Sequence, residues 1–123
     1  MLSVSLRILV VEDEMTIAFM IEDMLADLGH EVVELAMRLS DALEAAERLD
    51  FDLAILDVNL DGHHSFPVAD ILIGRSIPFA FATGYGKLGI DEAYRDRPVL
   101  AKPFLSGDLA KLVISVASGK GAF

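Results

Sequence analysis

Apolar positions along the chain alternate between two periods, and the alternation recurs five times. Residues 6–11, Leu6-Arg7-Ile8-Leu9-Val10-Val11, are β-branched and nearly continuous, the pattern of a strand covered on both faces. Ile17, Met20, Ile21, Met24, Leu25 and Leu28 then follow the i, i+3, i+4, i+7 spacing of an amphipathic helix, with Gly29 where a C-terminal cap belongs. That stripe places Met20 and Met24 in the core. A second strand is predicted over residues 31–37, and a second helix opens at Ser40-Asp41 and runs through Ala42, Leu43, Ala46 and Leu49, with Ser40 as its N-cap. Residues 52–56 form a third strand that runs into Asp57. A helix over residues 66–73 follows a loop, with Pro67 suited to its first turn. The fourth strand spans residues 77–82, where Pro78, lacking an N–H, must sit near the start or at a bulge. The glycine-rich stretch from Gly84 to Gly89 predicts a mobile loop, then a short helix around residues 91–94 and a fifth strand over residues 97–101. A final helix over residues 106–117 carries the stripe Leu109, Leu112, Val113 and Val116, and Ser118-Gly119-Lys120-Gly121 ends it as a frayed tail.

Five consecutive strand–helix units imply an α/β fold with a five-stranded parallel sheet and helices on both faces, because each right-handed crossover lays its helix back on the sheet. In such doubly wound sheets function gathers beyond the carboxyl ends of the strands. Glu12 and Asp13 follow the first strand, Asp57 the third, Thr83 the fourth and Lys102 the fifth. Taken singly, an acid at a strand end is usually a turn former or a helix cap. Together they amount to more. Three carboxylates on one rim repel, at roughly 4 kcal/mol per pair for ~4 Å and an effective dielectric of about 20. A hard divalent cation such as Mg²⁺, held by one or two carboxylates and a phosphate oxygen, offsets that cost. A carboxylate nucleophile, a metal, a hydroxyl and an ammonium are the parts phosphoryl transfer needs, and a carboxylate requires no base to activate it.

Composition narrows the classes. With 123 residues, 54% apolar and 24% charged, the chain makes one domain, residues 1–123 with a core over about residues 6–118. The absence of cysteine excludes disulfides and thiolate metal sites. A net charge of −10 repels nucleic acid phosphates and anionic lipid, so neither nucleic acid nor membrane is expected as a partner. Arg7 and the acids at residues 12–14 interrupt the apolar opening before a signal-peptide core forms, and no apolar run reaches the ~18 residues of a membrane helix. A cytoplasmic location is expected.

Four motifs, Ile8-Leu9-Val10-Val11-Glu12-Asp13-Glu14, Leu56-Asp57-Val58-Asn59-Leu60, Ala82-Thr83-Gly84 and Lys102-Pro103-Phe104, resemble in order and spacing the receiver domains of two-component response regulators. The resemblance covers almost the whole chain. It implies a flavodoxin-like sheet of order 2-1-3-4-5 and a phosphoryl group passed to Asp57 from a histidine kinase or phosphotransfer protein. Glu12, Asp13, Asp57 and the backbone carbonyl of Asn59 would hold Mg²⁺, and Thr83 and Lys102 would bind the phosphoryl oxygens. It also implies a cis Lys102-Pro103 bond that aims the lysine at the site, and partner contact through the region from about Lys87 to Ala117. The chain would catalyse only its own phosphorylation and dephosphorylation, and would act by protein contact without an output domain, as a switch or as a phosphoryl shuttle or sink for a kinase.

Pro78-Phe79-Ala80-Phe81-Ala82-Thr83-Gly84-Tyr85-Gly86 resembles more closely the receiver subgroup named FAT GUY after its one-letter motif. The sequence departs from the commoner receiver at Val99, three residues before the lysine, where most receivers carry an aromatic switch residue. Tyr85, between Gly84 and Gly86, is the candidate replacement.

Other signals weigh less. Gly84 to Gly89 fits G-x-G-x-x-G but follows the fourth strand rather than the first, and Leu88 stands where a phosphate loop needs Ser or Thr. Asp57-Val58-Asn59 approaches the D-x-D of aspartate-nucleophile phosphatases, yet an amide cannot act as their second, acid–base carboxylate. His63-His64 offers no chelating geometry by adjacency alone.

Overall fold

The computed structural model of the chain describes residues 5–84 and 89–118. Strand alternation sorts its apolar side chains into two cores. From β1 (Arg7–Val11), Leu9 and Val11 point to one face and Ile8 and Val10 to the other; from β3 (Leu53–Asp57), Ala54 and Leu56 oppose Leu53 and Ile55. The first core is closed by α2 (Leu39–Arg48) and α3 (Phe66–Gly74), the second by α1 (Met15–Asp27) and α4 (Ser106–Ala117). With β2 (Glu31–Ala36), β6 (Phe79–Thr83) and β7 (Val99–Ala101), the parallel sheet has the order β2-β1-β3-β6-β7, which is the expected 2-1-3-4-5 arrangement of the five main strands. No helix among the described residues is long and apolar enough to cross a membrane.

Helix boundaries follow the hydrogen bonds. Gly29, at φ +91°, ends α1 as the spacing predicts: its N–H bonds the Ala26 carbonyl and the His30 N–H reaches back to Leu25. The α1 stripe is narrower than predicted. Ala18, Ile21 and Leu25 are buried and Ile17 and Met24 pack partly, but Met20 is 37% exposed and Leu28 38%, so Met20 is not a core residue. Met20 lies on the flank of the stripe, and Leu28 is the C-cap residue just past the end of the helix. Ser40 is not the N-cap of α2. The Ala42 N–H bonds the Arg38 carbonyl, which starts the helix at Leu39 and lets that side chain pack on the core.

Proline fixes two strand starts. Pro78 immediately precedes β6, and its carbonyl accepts from the Ala54 N–H at 3.2 Å. Pro98 likewise lends its carbonyl to the Phe81 N–H, so β7 begins at Val99 rather than at residue 97. The predicted fourth helix is only a 3₁₀ turn, Glu92–Tyr94. In β6 the Phe79-Ala80-Phe81-Ala82 alternation compensates: the two rings face the α2–α3 side, and the small alanines face α1 and α4. Ile90 and the stacked rings of Phe66 and Tyr94 complete the cover over that half of the sheet.

An element absent from the sequence expectations follows β3. β4 (Asn59–Leu60) and β5 (His63–His64) pair antiparallel through a two-residue turn in which Asp61 and Gly62 have φ of +48° and +84°. Two positive φ values are what an Asp-Gly hairpin turn requires. A Cβ at Gly62 would meet nothing within 4 Å, so the cost of Gly62→Ala is conformational. Urea denaturation is expected to show a loss of ~1 kcal/mol, whereas Gly74→Ala, within α3 and equally unobstructed, is neutral or mildly stabilising.

Candidate functional site

Parallel strands deliver their carboxyl ends to one rim, and the sequence places polar residues at four of them. Glu12, directly after β1, is held by its own backbone, whose N–H bonds the Ala36 carbonyl, and is only 2% exposed. Its Oε2 accepts from the Glu14 N–H at 3.1 Å and its Oε1 from the Lys102 ammonium at 2.6 Å. Asp13 is exposed and accepts from the Asp61 N–H at 2.7 Å, so the β4–β5 turn is tied to the acidic rim. Asp57 ends β3 with its carboxylate 3.4 Å from Lys102 Nζ. Thr83, buried, ends β6, and its carbonyl accepts from the Lys102 N–H at 2.9 Å, which registers the lysine beside that strand end. The Lys102–Pro103 peptide is cis.

The predicted residues therefore converge. Carboxylate oxygens of Glu12, Asp13 and Asp57 lie within 4.8 Å of one another. An all-oxygen donor set carrying three carboxylates against one ammonium suits a hard divalent cation. Asn59 opens β4 at the same rim, two residues beyond Asp57. His63 and His64 lie outside the acid cluster: His64 packs its ring 5.2 Å from Phe66, and His63 borders an open groove with Arg38 and Ser40. Tyr85 lies outside the described residues, as does most of the Gly84–Gly89 run.

The charges are strongly coupled. Burial pushes the Asp57 carboxyl up to about 7, helped by its hydrogen bond and charge contact with Glu12, while Lys102 pulls the other way. Burial alone would lower Lys102, but its hydrogen bond to Glu12 and the charges of Asp57 and Glu12 outweigh that and hold the ammonium above its ordinary range. The pocket stores more negative charge than one lysine neutralises. A divalent cation would supply what is missing.

Sequence reasoning missed the turn that holds Asp13, although Asp61-Gly62 between Leu60 and His63 is a hairpin signal. Comparison with known proteins agrees with the geometry. A family model for the response regulator receiver domain matches residues 8–113. The transcriptional regulatory protein PdtaR of Mycobacterium tuberculosis strain H37Rv is 32% identical over 107 residues, 84% of this chain and 52% of PdtaR. The chain thus spans about half the length of the curated relatives it matches. SdrG from Sphingomonas melonis Fr1 superposes in its solution structure with a TM-score of 0.82 at 44% identity, covering 94% of this chain and 98% of that one. The crystal structure of the response regulator PhyR from Brucella abortus gives 0.76 at 34% identity, covering 94% of this chain and 48% of PhyR. With its acid cluster, lysine and sheet order all in agreement with that match, the chain belongs to the response regulator receiver domain family.

Proposed function

We propose that Asp57 accepts a phosphoryl group from the phosphohistidine of a histidine kinase or phosphotransfer protein in the cytoplasm, and that the phosphorylated chain acts by contact with another protein. The observation that carries this reading is the Asp57 carboxylate at a rim, 3.4 Å from Lys102 and within 4.8 Å of the Glu12 and Asp13 oxygens. An Asp57 oxygen attacks phosphorus in line as the phosphorus–nitrogen bond breaks, and the imidazole leaves with the bonding pair and takes a proton from solvent. Glu12, Asp13, Asp57 and the Asn59 carbonyl would hold Mg²⁺, which would supply charge neutralisation for the phosphoryl oxygens. Lys102 places an ammonium on a second oxygen, and Thr83 donates its hydroxyl to a third. None of these groups serves as a base for Asp57: with Mg²⁺ bound it would be held as the carboxylate, which has no proton to lose.

The rim is bordered by apolar surface. Met15, Phe19 and Met20 of α1 are 58%, 47% and 37% exposed, and Leu105, three residues past Lys102, is 75% exposed. Single exposed apolar residues are ordinary, but a group of them around a reactive carboxylate supports docking of a phosphodonor protein. Incubation with radiolabelled phosphorylated kinases is expected to label the wild-type chain in Mg²⁺ and leave Asp57→Asn unlabelled. Label retained by the Asn variant refutes the assignment. The lifetime of the phosphoryl group decides the output: a long-lived phosphoaspartate with altered partner affinity marks a switch, and rapid loss or return to the kinase marks a sink.

A further inference from the structure

Four aromatic rings link the hairpin beside Asp57 to the strand that carries Thr83. Tyr94, in the 3₁₀ turn, stacks on Phe66 with ring centroids 4.8 Å apart and planes 10° from parallel. Its hydroxyl donates to Asp70 Oδ1 of α3 at 2.6 Å. Phe66, the first residue of α3, also meets His64 of β5 at 5.2 Å and the edge of Phe81 at 5.9 Å. Phe81 precedes Thr83 by two residues and lies 6.2 Å from Tyr94. The rings thus touch the hairpin, the start of α3 and β6, all of which border the phosphoacceptor.

We propose that Tyr94 is a latch: stacked on Phe66 and bonded to Asp70, it holds the 3₁₀ turn Glu92–Tyr94 against α3 in the unphosphorylated protein, and it releases when Thr83 closes on a phosphoryl group. Two features support it. The 3₁₀ turn Glu92–Tyr94 buries no residue of its own, so residues 89–97 dock through Ile90, Tyr94 and the Arg97 guanidinium over Phe79. The Tyr94–Asp70 bond is exposed, so water can replace it when the ring leaves. Packed rings take discrete arrangements, so a shift of Phe81 and Thr83 is passed on as a change of stack.

The latch rests on the phosphoacceptor reading, and linkage supplies its test: a contact that favours the unphosphorylated state must weaken binding of a phosphoryl group. Beryllofluoride with Mg²⁺ serves as a stable phosphoryl analogue, titrated by NMR on the intact chain. Tyr94→Phe, which keeps the ring and loses the hydroxyl, is expected to bind the analogue about three- to tenfold more tightly and to exchange the amides of residues 90–97 faster before it is added. Tyr94→Leu, which also removes the stack, is expected to go further. Should that variant fail to fold, Tyr94→Phe still decides. Unchanged or weaker affinity in a folded Tyr94→Phe overturns the latch, and a wild-type chain that binds no beryllofluoride overturns the phosphoacceptor reading instead.

Discussion

Asp57→Asn is expected to melt several degrees above the wild-type chain in metal-free buffer at pH 8, and to lose that advantage as the pH falls toward 4. The carboxyl titrates near 7 in the folded chain against 3.8 for the unperturbed group, because burial and Glu12 disfavour its charge. The folded state therefore binds the extra proton between those values, and stability falls as pH rises through them. The penalty is complete above pH 7 and absent below about 3.8. About three pH units at ~1.4 kcal/mol each set a ceiling near 4 kcal/mol, and the solvent at the rim screens it to ~1–2 kcal/mol. For a chain of this size that amounts to a melting shift of about 5 °C. Saturating Mg²⁺ reverses the order, since it stabilises the protein with the full acid set and the amide binds it poorly. Calorimetry at pH 8 and pH 4.5, each with and without Mg²⁺, reads all of this. Equal melting temperatures at pH 8 without metal would mean that the three acids are not crowded.

The parts of the fold legible in the sequence are those fixed by local pattern. Continuous apolar runs gave β1 and β3, and Gly29 marked the end of α1, because burial on both faces and a positive φ each impose a residue type. Convergence of Glu12, Asp13, Asp57, Thr83 and Lys102 was legible too, since parallel strands share one carboxyl rim and side chains at their ends need no long-range information to meet. What failed was decided by tertiary contact. Met20 obeys the helical spacing of the core, yet how wide a stripe the sheet covers depends on how α1 sits, which periodicity does not encode. Ser40 is a better cap than Arg38 by propensity, but burying Leu39 moved the helix start. The link between Tyr94 and Phe66 joins residues far apart in sequence, and only the Phe-Ala-Phe-Ala alternation of β6 hints that rings gather on that face of the sheet.

Lys102→Met is expected to lower the stability of the metal-free chain at pH 8 by about 3 kcal/mol, measured by urea denaturation in the presence of a chelator. Glu12 is 2% exposed and would keep the Glu14 N–H but no cation once the 2.6 Å ion pair is gone. A buried carboxylate stripped of its cation costs more than the intact pair contributes, which is why removing one partner differs from removing both. The double variant Glu12→Gln/Lys102→Met is therefore expected to recover most of the loss, a coupling that a double-mutant cycle measures directly. Loss of Lys102 also removes the charge and hydrogen bond that lower the Asp57 titration, so the deficit of the single variant grows with pH through the neutral range. Mg²⁺ is expected to restore its stability without restoring fast phosphorylation, because the cation balances the acids but leaves one phosphoryl oxygen without its ammonium. Stability that is unchanged in the single variant, or fails to return in the double, would place the Glu12 charge in water rather than against Lys102.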